Sequence, residues 1–223
     1  MCGRFAFYSP AEATAALFGA SGTLDLEPRY NIAPTQLVPV VRADVQGSRR
    51  ADSLRWGLVP FWAKELAIGN RMINARGETV AEKPAFRQAW RRRRCLIPAD
   101  GFYEWQKLPG GKQPWFISSG GQGPLAFAGL WERWDDRGKA EPVESCTIIT
   151  TLANGTLRPL HERMPVILSP QAWDRWLDPG VGEDELSSLL RPAPDDLLSA
   201  HPVSRRVNSP ANDGPELVEA VED

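Results

Sequence analysis

Cysteine stands at position 2, directly behind the starting methionine. A starting methionine is usually removed when the next residue is small, so the mature chain is expected to begin at Cys2. Its α-amine and thiol then sit on adjacent carbons. An aldehyde condenses with such an amine to a Schiff base, and the thiol closes on the imine carbon to give a five-membered thiazolidine. The α-amine suits this step, since it titrates near about 7.7–8.0 and is roughly a tenth or more neutral at pH 7. A lysine, at about 10.4, is almost wholly protonated there. By position alone an ordinary small residue is the commoner reading, so the chemistry needs partners.

Three segments offer them. In Ile73-Asn74-Ala75-Arg76, strand periodicity puts the Asn74 amide and the Arg76 guanidinium on one face and turns Ile73 and Ala75 to the core. Arginine grips phosphate in bidentate fashion, and asparagine can hold a sugar hydroxyl or orient a reacting group. A solvated strand face is the plainer alternative. Glu104 lies among Phe102, Tyr103 and Trp105. Desolvation there should raise its pKa towards neutrality, as a proton shuttle requires, unless it pairs with a buried arginine. His161, one of only two histidines, is flanked by Glu162 and Arg163 and is a candidate acid or base, or a structural histidine. His201, beside Pro202, reads as structural.

Basic and aromatic residues also alternate, at Arg29-Tyr30, Arg55-Trp56, Phe61-Trp62-Ala63-Lys64, and Trp90 before Arg91 to Arg94. Cations beside stacking surfaces suit single-stranded nucleic acid. Four successive arginines on a helix point all round its axis, so the run is not expected to line one groove.

The elements that hold these residues belong to one domain. A chain of 223 residues with 42% hydrophobic and 24% charged residues is globular in composition, and no stretch approaches a membrane span. The net charge of −2 hides an asymmetry. Residues 211–223 hold five acids and no base, which leaves 26 bases against 23 acids in the body. A weakly basic body permits a polyanion partner without demanding one. Three cysteines without CxxC spacing and two histidines argue against a disulfide framework and against a metal centre. No export signal is read at the start, because Arg4, Ser9, Pro10 and Glu12 interrupt it. Ser9, Pro10 and Glu12 instead predict a helix start, with Leu17 and Phe18 buried. Strands are expected at 38–43, 54–59, 71–75, 95–98, 101–106, 113–118, 125–131, 145–150 and 164–168. Helices are expected near 82–91, 152–157, 170–177 and 183–190. The pattern is a mixed α+β domain over 1–210, with a mostly antiparallel sheet curled towards a barrel, flanking helices, and an acidic, partly disordered tail over 211–223.

Several segments in fixed order carry a resemblance: Met1-Cys2-Gly3-Arg4-Phe5, Arg29-Tyr30-Asn31-Ile32-Ala33-Pro34, Arg55-Trp56-Gly57-Leu58-Val59-Pro60 with Trp62, and Ile73-Asn74-Ala75-Arg76 with Glu78-Thr79. Arg93 through Trp105, His161-Glu162-Arg163-Met164-Pro165 and His201-Pro202-Val203-Ser204 complete it. Together they closely resemble the SRAP family (SOS-response-associated peptidase domain), whose members protect abasic sites in DNA. The resemblance implies that Cys2 forms a thiazolidine with the ring-opened aldehyde of an abasic deoxyribose. It implies Asn74 as a positioning residue, Glu104 as the acid and base, and His161 in ring opening and reversal. Arg4, Arg76 and Arg163 match phosphate-binding arginines, while Pro34 and Trp62 match residues that stack near the lesion. Ala211 stands where the family has a basic residue. The implied partner is single-stranded DNA carrying an abasic site, with no cofactor, metal or membrane, for a monomer in the cytoplasm (at the nucleoid in a bacterium).

Two rival readings remain at this point. One is a cysteine-type peptidase, or autopeptidase acting on Met1, with Cys2 as nucleophile and His161 as base; it needs an oxyanion hole and a peptide groove. The other is a non-covalent single-strand binding module in which Cys2 is incidental.

Overall fold

Apolar runs punctuated by Gly, Pro and Asp fold as strands along most of the chain. A computed structural model describes residues 2–22, 27–44, 46–136, 138 and 141–221. Met1 and the last two residues of the expected tail lie outside the described residues. The first half of the chain supplies β1 (Phe5–Phe7), α1 (Ala11–Leu17), β2 (Ala20–Ser21), β3 (Arg29–Ile32), β4 (Leu37–Ala43), β5 (Arg49–Trp56), β6 (Asn74–Arg76), α2 (Arg87–Arg92) and β7 (Arg94–Ala99). The second half supplies β8 (Gly101–Leu108), β9 (Gly111–Ser118), β10 (Leu125–Trp134), β11 (Val143–Leu152), β12 (Arg163–Pro165), α3 (Trp173–Leu177), α4 (Glu183–Ser188) and β13 (Ser199–Pro202).

The architecture is α+β, built on a barrel and a second sheet. Strands β5, β4, β7, β10 and β11 pair in that order, and a parallel pairing of β11 with β5 (Cys146 opposite Trp56) closes the ring. The second sheet, β13-β9-β8-β1-β3, is antiparallel throughout. Its apolar face packs on the barrel through Phe5, whose ring meets Trp56 at 5.2 Å and Phe127 at 6.1 Å, and through Phe102 against Phe127 at 5.8 Å. Edge-to-face pairs of this kind add about 0.5–1.5 kcal/mol each beyond area burial. A second core lies where α2, α3 and α4 cover the barrel, around Trp90, Trp173 and Trp176.

Several expectations need correction. The strand expected at 54–59 ends at Trp56, because Gly57 (φ +118°) turns the chain and lies against Gly69, whose carbonyl oxygen would sit 2.6 Å from a Cβ at 57. That contact seats the loop carrying Trp62. The helix expected near 82–91 is confined to Arg87–Arg92, behind Pro84. No helix forms at 152–157: β11 runs on to Leu152, and the Asn154 side chain donates to the Ala193 carbonyl while accepting from Leu157 N–H. Ser9 bonds Asp100 instead of capping α1, and Leu17 is 53% exposed.

The segment expected as a disordered tail is built into the domain through residue 221. Asp213 accepts from the Tyr30 and Asn31 backbone N–H groups at 2.6 and 2.9 Å and pairs with Arg29. Leu217 is buried, and Val203 bridges to Ala220. An acid that caps a strand edge and a leucine that enters a core are not a solvated tail. Leu217→Ala should therefore lower the unfolding free energy by about 2–4 kcal/mol, measured by urea denaturation. No change would mean that the segment is detached in solution.

Candidate active site

Cys2 is fully buried at the entrance to β1. Chain starts usually fray, but here the start is fixed from several sides. Phe5 pairs with Ile32 on one flank and Phe102 on the other. The Asp100 carboxylate receives the N–H groups of Tyr8 and Ser9 and the Ser9 hydroxyl. Arg4 donates to Asn31 Oδ1 at 2.7 Å and to the Val207 carbonyl at 2.8 Å. Arg4 is thus spent on holding β1 to the carboxy-terminal segment.

Strand β6 lies parallel to β11, with Asn74 opposite Ile148 and Arg76 opposite Thr150. Ala75 is buried, while Asn74 and Arg76 share the other face, as alternation dictates. The Asn74 amide donates to the Cys2 carbonyl at 2.8 Å, and its buried Oδ1 has no partner among the described residues. An acceptor is therefore available beside Cys2.

Glu104, on β8 opposite Trp115, is buried. Burial raises its pKa to about 7, although the amino-terminal charge and hydrogen bonding pull the other way. Burial, reinforced by the Glu104 charge, raises the Cys2 thiol well above its ordinary value. Burial also lowers the His161 imidazole, helped by the amino-terminal charge. Its Nδ1 accepts from the Arg163 N–H at 3.0 Å, which leaves the proton of the neutral ring on Nε2. Burial is the largest cause of the shift at each of Cys2, Glu104 and His161. Each is biased to its uncharged form, and Glu104 is poised to exchange a proton near neutrality.

The proposed DNA ligands divide. Arg163 makes a bidentate pair with Glu78 at 2.5 and 2.9 Å and reaches the Thr150 carbonyl, so it is committed within the fold. Arg76 is exposed and makes no hydrogen bond among the described residues. Trp62 is 47% exposed and lines an open groove of about 460 Å³ with Asn74 and Arg76. Neither Pro34 nor Arg4 lines that groove. Pro34 instead begins a turn in which Thr35 takes a φ of +76°, costing of order 1–3 kcal/mol for a non-glycine. The Thr35 N–H bond to the Trp56 carbonyl at 2.8 Å holds it there.

The groove also contains Arg71, Met72, Lys83 and Phe86, which sequence reasoning missed. Lys83-Pro84-Ala85-Phe86 carries the same cation-beside-aromatic signature that marked other segments. Among the described residues no group of three or more His, Cys, Asp or Glu could hold a metal, and no helix is long and apolar enough to cross a membrane.

Comparison with known proteins assigns the lineage. The family model described as SOS response associated peptidase (SRAP) matches residues 1–210. "Abasic site processing protein YoqW" of Bacillus subtilis (strain 168) is 44% identical, covering 99% of this chain and 100% of that protein. "Abasic site processing protein YedK" of Escherichia coli (strain K12) is 33% identical over the same shares. "Abasic site processing protein HMCES" of Gallus gallus is 35% identical over 87% of this chain and 67% of its own length. A crystal structure of a protein from Bacteroides thetaiotaomicron superposes with a TM-score of 0.90 at 26% identity, covering 99% of this chain and 100% of that one. A fold shared from end to end, over a chain whose Cys2 is buried beside an acid and an amide, leaves one lineage: the chain belongs to the SRAP family.

Proposed function

We propose that this protein processes abasic sites in single-stranded DNA, in keeping with the names of its relatives, and that it does so by covalent capture through Cys2. The observation that carries the reading is the burial of a cysteine at the start of the chain, its carbonyl held by Asn74, in the same interior as a carboxyl poised near neutrality.

With the preceding methionine removed, the Cys2 amine adds to the C1′ aldehyde of the ring-opened sugar. Glu104 protonates the departing carbinolamine hydroxyl, which leaves as water and gives the imine. Loss of water leaves the imine nitrogen protonated and Glu104 ionised; the thiol then adds to the imine carbon and gives its proton back to the Glu104 carboxylate, while the nitrogen keeps its own proton and becomes the neutral ring amine. The net change is aldehyde plus amine and thiol, giving thiazolidine plus water. In this reading His161, neutral with its proton on Nε2, donates that proton to the sugar ring oxygen during opening and recovers one from the C1′ hydroxyl as the aldehyde forms. Asn74 fixes the Cys2 backbone and offers Oδ1 to a sugar hydroxyl or the reacting amine. Arg76 and Trp62 contact the phosphate and the flanking base in the groove.

The peptidase reading has less support. Among the described residues the hydrogen-bond partner of the Cys2 thiol is the Arg4 carbonyl, at 3.9 Å, and not an imidazole. The thiol is pushed away from the thiolate form that a cysteine peptidase needs.

Cys2→Ala should form no adduct with an abasic single strand on a denaturing gel, while wild type forms one that survives heating. A heat-stable adduct from Cys2→Ala would overturn the mechanism. Asn74→Ala should slow adduct formation about tenfold to a hundredfold, measured under single turnover.

The rate should also depend on pH with a determinable sign. Glu104 acts as an acid when protonated, below about 7, and the amine reacts when neutral, which favours higher pH. The rate should therefore pass through a maximum near neutrality and fall on the alkaline side as Glu104 ionises. In Glu104→Gln the rate should drop about a hundredfold or more, and that alkaline fall should disappear. A wild-type profile that climbs without limit to pH 9 would remove Glu104 from the role.

A further inference from the structure

The arginine run at 91–94 does not behave as a helical run should, because the helix ends inside it. Arg91 and Arg92 close α2, Arg93 turns back to Glu132, and Arg94 already opens β7. The change of geometry lets Arg91 and Arg92 open onto one space, while the Arg94 guanidinium turns in to the Trp90, Trp176 and Asp178 carbonyls. That space is an open groove of about 970 Å³ lined by Arg42, Arg49, Arg50, Arg91, Arg92 and Arg94, against the carboxylates of Asp44 and Glu144. Both acids are engaged: Asp44 accepts from the N–H groups of Gln46 and Ser48, and Glu144 pairs with Arg42 at 2.6 Å. Trp131 forms part of the wall, with the Arg42 guanidinium 4.3 Å over its ring. Arg92 is exposed and makes no hydrogen bond or ion pair among the described residues.

This groove lies apart from Asn74. Along β11, Glu144 is four residues before Ile148, the register partner of Asn74, a distance of about 13 Å. The two places are nevertheless joined on the surface. Lys83 lines the groove at Asn74, and its carbonyl accepts from Arg87 N–H at 2.9 Å in the turn that leads into α2. Lys83, Arg87 and Arg91 then form a stripe of cations: Arg87 and Arg91, one turn apart on α2, share a face, and Arg91 pairs with Glu183 at 3.0 Å. Arg87 is exposed and unpartnered among the described residues. The stripe ends at the arginine groove, which Arg91 and Arg92 line.

We infer that the strand leaving the candidate active site follows this stripe, and that the arginine groove holds its phosphodiester backbone several nucleotides from the lesion. This rests on the proposed function for the identity of the polyanion. Lys83, Arg87 and Arg92 offer about three phosphate contacts on the way into the groove. Binding should therefore strengthen once the strand extends about five nucleotides past the groove at Asn74. Arg42, Arg49, Arg50 and Arg91 are ion-paired to Asp52, Glu144, Asp174 and Glu183, so Arg87 and Arg92 are the guanidinium groups left outward; they recognise phosphate charge without reading bases, and the contact is independent of sequence.

The test pairs two measurements on wild type and Arg87→Glu/Arg92→Glu. The first is equilibrium binding of undamaged strands of about three and about fifteen nucleotides across a salt series. The second is adduct yield with an abasic strand of about three nucleotides, too short to reach the groove. In the variant, long-strand affinity should fall about tenfold or more at low salt, with the logarithmic salt slope reduced by about 1.4. Short-strand adduct yield should stay at the wild-type level. Arg87→Gln/Arg92→Gln should move long-strand affinity in the same direction, excluding repulsion by the new carboxylates as the cause. Equal long-strand affinity and salt slope in variant and wild type would overturn the inference, as would wild type binding long and short strands alike. Wild type that forms no adduct, yet binds by length and charge as described, would sink the covalent reading and leave the groove standing.

Discussion

The site depends on one constraint: the first residues of the chain must be buried and held rigid. Ordinarily an amino terminus is among the least ordered parts of a domain. Here Phe5 is inserted between Trp56 and Phe127, so the seam between the second sheet and the barrel closes around β1. The hydrogen bonds of Asp100 and Arg4 then fix the two ends of that strand. Detaching β1 would open the apolar contact between two sheets. The position of Cys2 is therefore secured by the domain core and not by local contacts alone. The carboxy-terminal segment belongs to the same clamp, since Asn31 donates to the Val207, Ser209 and Asn212 carbonyls while Asp213 caps the strand that β1 pairs with.

Burial that fixes the backbone also sets the chemistry. Desolvation acts against charge on each member of the group: it holds the thiol protonated, lifts the Glu104 carboxyl and keeps the His161 ring neutral. Condensation of a carbonyl with an amine and a thiol begins and ends with neutral species, so such an interior does not oppose it. A thiolate–imidazolium pair would have to be created against the same desolvation, and a second ion would not be free of that cost. The environment thus weighs on the side of the proposed condensation, a preference that the residue types alone do not give.

Much of this was legible in the sequence, and the remainder was not for identifiable reasons. Local periodicity revealed the strand faces: Ala75 inward and Asn74 with Arg76 outward follow from a repeat of two. The aromatic setting of Glu104 was visible in its immediate neighbours. Ring closure by β11 on β5 was not, because it joins residues about ninety positions apart and leaves no periodic trace. The tail was misread because charge content suggested solvent, whereas Asp213 answers backbone N–H groups on a distant strand. Leu17 was assigned inward by hydrophobicity, yet a short surface helix leaves it exposed.

The arginines show the same limit most sharply. Arg4, Arg94 and Arg163 are drawn inward, and Arg94 spends its guanidinium on the Trp90, Trp176 and Asp178 carbonyls, where α2 and α3 end. That is a favourable place for a cation, since unsatisfied carbonyls and the negative end of the helix dipole meet there. Arg76, Arg87 and Arg92 remain exposed and unbonded among the described residues. Nothing in the residue type separates the two groups. A net charge near zero therefore says little about affinity for a polyanion, because the cations that structure consumes and those it leaves outward count alike in the sum. The outward ones are those that tertiary packing failed to enclose, and it is they, not the sum, that decide where a weakly basic body is locally positive.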